Sequence, residues 1–229
     1  MKILVTIYLA FAFLIASAQS GIPAGFTPLF NGKNLQGWHV SRSTHQGTTP
    51  SFTVQDGIIT GTENPYGQGG LLLTDKKFKN FELYIEVKID SFSNGGIFLR
   101  SSESGVAYQI ELAEPSGTGG FLGERINVSK SPDISAMKAA WKPNDWNTFR
   151  IKIVGDTPHV TLWVNGTQIY DVVEPKNDLI AGETSGHIAL QCHWTALFSD
   201  AAGVGMSLKS WQPGAKHRFR NIAIKEIKE

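Results

Sequence analysis

The sequence predicts an all-β protein in which two antiparallel sheets pack face to face as a sandwich. Three observations carry that reading. Apolar and polar side chains alternate with period two through most of the chain, the spacing that turns one face of an extended strand to a core. The hairpin dipeptides Asp56-Gly57 and Asn165-Gly166 punctuate the alternating runs. Helical patterning is confined to a turn or two around "SPDISAMKAAW". A dozen or so strands in about 200 residues bury enough surface for a two-layer core.

Taken in order, the chain opens on "MKILVTIYLAFAFLIASAQS". Lys2 supplies a charged start, an apolar run follows, and Ala16-Ser17-Ala18 fits the small-x-small cleavage rule. Residues 1–18 therefore read as a secretory signal peptide, too short in its apolar part to span a bilayer. The expected product is secreted or periplasmic, without a membrane anchor, and residues 19–229 form one domain. In "FELYIEVKID", Phe81, Leu83, Ile85, Val87 and Ile89 oppose Glu82, Tyr84, Glu86 and Lys88. "TFRIKIVG", "HVTLWVNGTQIYDV", "GHIALQCHW" and "FRNIAIKEI" alternate likewise.

The formal charge of +1 is lost with Lys2, and there is no basic run, so nothing marks the chain for nucleic acid. A single cysteine, Cys192, excludes an intramolecular disulfide and lies on the apolar side of its strand, as a small buried hydrophobe does. Asn127-Val128-Ser129 and Asn165-Gly166-Thr167 match the glycosylation sequon, a pattern common by chance.

Function is most legible on the polar strand faces. "GHIALQCHW" turns Ile188, Leu190, Cys192 and Trp194 one way and His187, Ala189, Gln191 and His193 the other. In "NGGIFLRSS", Phe98 and Arg100 share a face; in "VAYQIELAE", Gln109 and Glu111 do. If the three strands lie in one sheet, Arg100, Gln109, Glu111, Gln191 and His193 form one polar patch, provided no bulge intervenes. Singly, each has a structural explanation: Arg100 and Glu111 as a cross-strand ion pair, His193 as a hydrogen-bonded structural histidine. An acid, a base, a cation and two amides on neighbouring strands point instead to a site. A conventional glycosidase pair is missing, because Glu111 and Glu114 are three apart and a regular strand turns them to opposite sides.

The motifs "GFTPLFNGKNLQGWHV", "FTVQDGIITG", "FKNFELYIEVKI", "NGGIFLRSS", "YQIELAE", "WNTFRIKIVG", "LWVNGTQI", "GHIALQCHW" and "FRNIAIKEI" occur in that order between about Phe26 and Ile227. Together they resemble the 3-keto-disaccharide hydrolase family. The resemblance implies a concanavalin A-like jelly roll of the lectin and glucanase type. It also implies action on glycosides oxidised to a ketone at C3, by hydrolysis or by elimination. Such a ketone acidifies the C2 proton, so one base can expel the C1 substituent without a carboxylate pair.

Asn94-Gly95-Gly96 stands where the family has Asn-Ser-Gly, and Arg100 matches its arginine. Gln109 and Glu111 match its Tyr-Glu-x-Gln-Ile-x-Asp motif with acid and amide exchanged, and Gln191 and His193 match Leu-Gln-x-His. Trp194 replaces a glycine. The implied catalytic set is His193 as base, Glu111 and Arg100. Gln109, Gln191, Asn94 and Trp211 are the expected substrate-binding residues. Glu111 and His193 are ligand types for a divalent metal but lack a spacing motif, so no cofactor is assigned. The stretch 195–215 is longer than the family pattern and reads as a lid or sugar platform, with Phe198 or Trp211 facing the patch. The partner is an oligosaccharide or glycoside. The alternative function is a non-catalytic carbohydrate-binding module, for which Trp38, Tyr66 and Trp211 would be platforms.

Overall fold

A computed structural model describes residues 21–47, 51–114, 117–129, 131–195, 197–198, 208–209 and 211–228. The expected signal peptide lies outside them. The strands are β1 (Thr27–Pro28), β2 (Trp38–Val40), β3 (Ser51–Gln55), β4 (Ile58–Thr62), β5 (Gly70–Thr74), β6 (Phe81–Ile89), β7 (Ser93–Ser101) and β8 (Ala107–Glu114). They continue with β9 (Phe121–Glu124), β10 (Asn147–Val154), β11 (His159–Val164), β12 (Thr167–Val173), β13 (His187–Cys192), β14 (Leu197–Phe198), β15 (Leu208–Lys209) and β16 (His217–Glu226). Among the described residues helix is limited to α1 (Met137–Ala140), within the stretch where it was expected, and a 3-10 turn at Ile180–Gly182.

Two antiparallel sheets result. The larger runs β12-β11-β10-β6-β16-β4-β3, with β1 added on β16; the smaller runs β2-β5-β13-β7-β8-β9. Strands β14 and β15 pair separately. Both predicted hairpins form. Asp56-Gly57 joins β3 to β4 and Asn165-Gly166 joins β11 to β12, all four residues at positive φ (51°, 76°, 50° and 84°). Such primed turns match the twist of the flanking strands, and Asn, Asp and Gly tolerate them best.

The core lies between the sheets. Phe81, Leu83, Ile85, Val87 and Ile89 of β6 are fully buried. They belong to one cluster with Leu72, Ile97, Leu99, Ile110, Leu112, Ile188 and Leu190 from the smaller sheet. The same alternation sends Glu82 and Glu86 to the outer face of the larger sheet, where they pair with Arg150 and Arg220. No helix among the described residues is long and apolar enough to cross a membrane.

Candidate active site

The outer face of the smaller sheet collects most of the predicted patch. Gln191 of β13 lies opposite Gly96 of β7, and Gly96 opposite Glu111 of β8. One pair further along, Ala189 is opposite Phe98, and Phe98 opposite Gln109. At the other end His193 continues the ladder, its N–H donating to the Asn94 carbonyl (3.1 Å). Period two therefore places Gln109, Glu111, Asn94, Gln191 and His193 on one side.

The two glycines of "NGG" explain how this face is furnished. A Cβ on Gly96 would come within 2.6 Å of Gln109 Nε2, so only glycine lets that side chain lie across β7. There Gln109 Nε2 donates to Gln191 Oε1 (3.2 Å) and to the Gly95 carbonyl (3.3 Å). On the inner side, a Cβ on Gly95 would meet the Gln191 carbonyl at 2.3 Å and His217 at 2.8 Å. Gln191 is fully buried, and its Nε2 has no protein partner. A buried amide N–H in that state is a donor waiting for an acceptor.

Glu111 is wedged against the glycine-rich turn 117–120. A Cβ on Gly117 would come 2.8 Å from Glu111 Oε2. Burial pushes the Glu111 carboxyl above the usual range, opposed only by a long hydrogen bond from Asn94 Nδ2 (3.5 Å). Glu114 faces the other way and accepts from Trp141 Nε1 (2.7 Å), as its spacing required. Burial lowers the His193 pKa, against the opposing effects of the Trp194 carbonyl and Glu63. The His193 Nδ1–H donates to the Trp194 carbonyl (2.6 Å), which leaves Nε2 with the lone pair. The Trp194 ring, 41% exposed, stacks on the imidazole at 5.7 Å.

Two expected residues are elsewhere. Arg100 leaves the patch because β7 bulges: Phe98 pairs with Ala189, but Ser101 pairs with His187, so three steps on one strand meet two on the other. Arg100 takes a positive φ of 53° there and turns away from the outer face. The residue is 1% exposed, and its guanidinium donates to the Lys79 carbonyl (2.8 Å), the Gly155 carbonyl (2.9 Å) and Asn80 Oδ1 (3.2 Å). Burial lowers its pKa to about 10, which still leaves it charged at neutral pH. Gly186 admits the bulge, since a Cβ would sit 2.2 Å from the Arg100 carbonyl carbon. Arg100 therefore clamps one sheet to the end of the other.

Trp211 is the second correction. It is fully buried with Cys192, Ala215 and Phe52, its ring 4.7 Å from His217, on the inward side of β13. It cannot be a sugar platform or a lid residue facing the patch. Trp38 is likewise a core residue, donating to the Leu29 carbonyl (2.9 Å), whereas Tyr66 is 44% exposed. The Phe198 side chain and most of the expected lid lie outside the described residues.

The structure adds groups that strand patterning could not reveal, because they sit on connections. Glu63, almost buried, accepts from Thr195 Oγ (2.6 Å) and the Gly67 N–H (2.9 Å) and contributes to the field at His193. His45 arrives on the segment after β2 and meets Glu124 and Arg125 at the end of β9, with the Gln46 amide against its ring. Among the described residues no three His, Cys, Asp or Glu side chains are grouped to hold a metal ion.

A family profile described as "3-keto-alpha-glucoside-1,2-lyase-like domain" matches residues 25–225. The chain belongs to this family. It is 39% identical over 85 residues to a 3-keto-disaccharide hydrolase of Bacteroides thetaiotaomicron, a match covering 34% of this chain and 28% of that relative's length. A crystal structure from Parabacteroides distasonis, assigned as a glycosyl hydrolase, aligns with a TM-score of 0.59 at 20% identity over 89% of this chain and 94% of that one. The carbohydrate-binding module CBM66 of Bacillus subtilis aligns with a TM-score of 0.55 at 12% identity, covering 83% and 96%. At such identities the likeness is one of fold: the two-sheet sandwich expected from the strand pattern, of the jelly-roll type that the family resemblance implied.

Proposed function

We propose that the outer face of the smaller sheet cleaves 3-keto-glycosides by elimination, with water then free to add to the unsaturated product. The supporting observation is an imidazole whose basicity burial lowers and a carboxyl whose proton affinity burial raises, on the same face as an orphaned amide donor. His193 Nε2 removes the proton on C2, and the electron pair passes into the C3 carbonyl as an enolate. The enolate collapses, C1–O breaks and C1=C2 forms. Glu111, whose carboxyl burial shifts toward the protonated form, gives its proton to the departing oxygen. The Gln191 Nε2–H takes the part expected of Arg100, donating to oxygen as charge develops. Glu111 and Glu124 do not make a conventional pair. Glu124 is opposite Ala107, four residues along β8 from Glu111 and so about 13 Å away along the strand, beyond the span of one glycosidic bond.

The family's name and the named relative support the substrate class. The decisive experiment compares a 3-keto-disaccharide with its unoxidised counterpart. The oxidised sugar should be cleaved, deuterium at C2 should slow the step, and the unoxidised sugar should be inert. Comparable cleavage of both without an isotope effect would return the site to ordinary glycosidase chemistry. Export is part of the same reading, and the mature protein recovered outside the cytoplasm should begin at Gln19.

A further inference from the structure

The outer face of the larger sheet carries a cavity of about 400 Å³, on the side of the sandwich away from His193 and Glu111. Strand register builds it. Tyr84 of β6 is opposite Arg150 of β10, and Arg150 is opposite Trp163 of β11, so all three turn outward in one row. In the next outward row, Lys225 of β16 is opposite Glu82 of β6. Phe26, from the segment before β1, closes one wall by packing edge-on against Tyr84, ring centres 6.2 Å apart. The volume falls in the range of small-ligand pockets, about 300–1,000 Å³.

Arg150 is held from two sides. Its guanidinium lies over the Trp163 ring, 4.8 Å from the centroid, and its Nε–H donates to Glu82. Glu82 is nearly buried, but half of the Arg150 side chain is exposed (49%). A guanidinium carries its donors in a planar fork. Fixing Nε and the plane of the group therefore orients the outer edge of that fork before any ligand arrives. Among the charged groups of the lining, Arg150 and Lys225 are positive and Glu82 is negative. One positive charge is left in excess.

We propose that this cavity binds a small aromatic carboxylate, its ring against Phe26, Tyr84 and Trp163 and its carboxylate on Arg150 and Lys225. The aromatic walls supply apolar contact, and the single surplus positive charge favours a monoanion over a neutral ligand. A neutral sugar would leave that charge unmatched. The cavity and the elimination site lie on different sheets, so the test of one does not depend on the chemistry of the other.

Calorimetry of the whole protein with cinnamate, methyl cinnamate and propionate provides the test. The ester keeps the ring without the charge, and propionate keeps the charge without the ring. Cinnamate should bind about tenfold or more tightly than either. Trp163→Leu should weaken cinnamate about tenfold, whereas His193→Ala should leave it unchanged. Lys225→Met, at an exposed position that folding does not need, should weaken cinnamate about three- to tenfold without affecting the ester, and carries the test if Trp163→Leu unfolds. A wild type that binds no cinnamate, or binds the ester equally well, overturns the site. So does cinnamate binding that both Trp163→Leu and Lys225→Met spare, or that His193→Ala abolishes. A neutral methyl glycoside that displaces cinnamate and is itself lost in Trp163→Leu would overturn it in favour of a sugar platform.

Discussion

Burial acts on His193 and Glu111 in opposite directions, lowering the basicity of the imidazole and raising that of the carboxyl. The base must be deprotonated, so kcat/KM should rise as pH climbs through a value below the ordinary 6.5 of histidine. The acid must be protonated, so the rate should fall as pH passes the raised Glu111 value. The expected profile is a bell centred in the weakly acidic range. Glu111→Gln should remove its alkaline limb and lower kcat, and His193→Ala should lower kcat by about two to four orders. A profile that is flat from pH 4 to 8 in the wild type would remove both residues from the chemistry. The side of the strand that carries His193, Gln191, Glu111 and Gln109 was legible in the sequence, because alternation is a local property. The shifts in their proton affinity were not, because they follow from what the turn 117–120 and the Trp194 carbonyl place against those side chains.

Strand β7 shows how one element serves two ends of the molecule. At Gly96 it is bare so that the Gln109–Gln191 amide pair can cross it, and Gly96→Ala should displace that pair. The expected result is a fall in kcat/KM of about ten- to a hundredfold with a small change in melting temperature, read by kinetics and thermal unfolding of the same preparation. At Arg100 the strand bulges, and its guanidinium satisfies three acceptors on the neighbouring sheet end. Arg100→Met leaves those acceptors without their donor and should cost about 2–4 kcal/mol of stability, with little effect on KM in the folded fraction. A variant as stable as wild type but catalytically dead would restore Arg100 to the site. The bulge defeats sequence reading for a physical reason. Period two predicts a side only while pairing stays regular, and what breaks it here is the reach of Arg100 to Lys79 and Gly155.

On the scale of the whole molecule, β16 packs a polar group into the core. His217 is fully buried; its Nε2–H donates to Ser93 Oγ (2.8 Å), and Ser93 in turn donates to the Asp90 carbonyl (2.5 Å). Burial lowers the His217 pKa to about 3. The unfolded chain therefore binds a proton below about pH 6.5 that the folded chain refuses until about pH 3, and stability drains away as pH falls through that window. The half-buried carboxyls Glu111 and Glu124, whose pKa values are raised, act in the opposite sense, so the contrast with a variant isolates the histidine. His217→Gln, which keeps a donor for Ser93, should flatten the fall in melting temperature between pH 6.5 and 4. An unchanged slope would exclude His217 as its cause. Cys192 reports on the same region: its thiol is completely buried and its pKa is pushed up, so a thiol reagent should label it only at the rate at which the core opens.

The sequence by itself determined the two-sheet architecture, both primed hairpins and the common side of Gln109, Glu111, Gln191 and His193. Each depends on period-two alternation or on a dipeptide that accepts positive φ, and both are written within a few residues of chain. Only the tertiary structure decided that Arg100 would leave the face, that Trp211 would pack beneath Cys192, and that His45 would swing across to Arg125. Those outcomes depend on partners far along the chain, and a bulge or a docked loop is set by which distant carbonyl or side chain comes within hydrogen-bonding range once the sheets have closed.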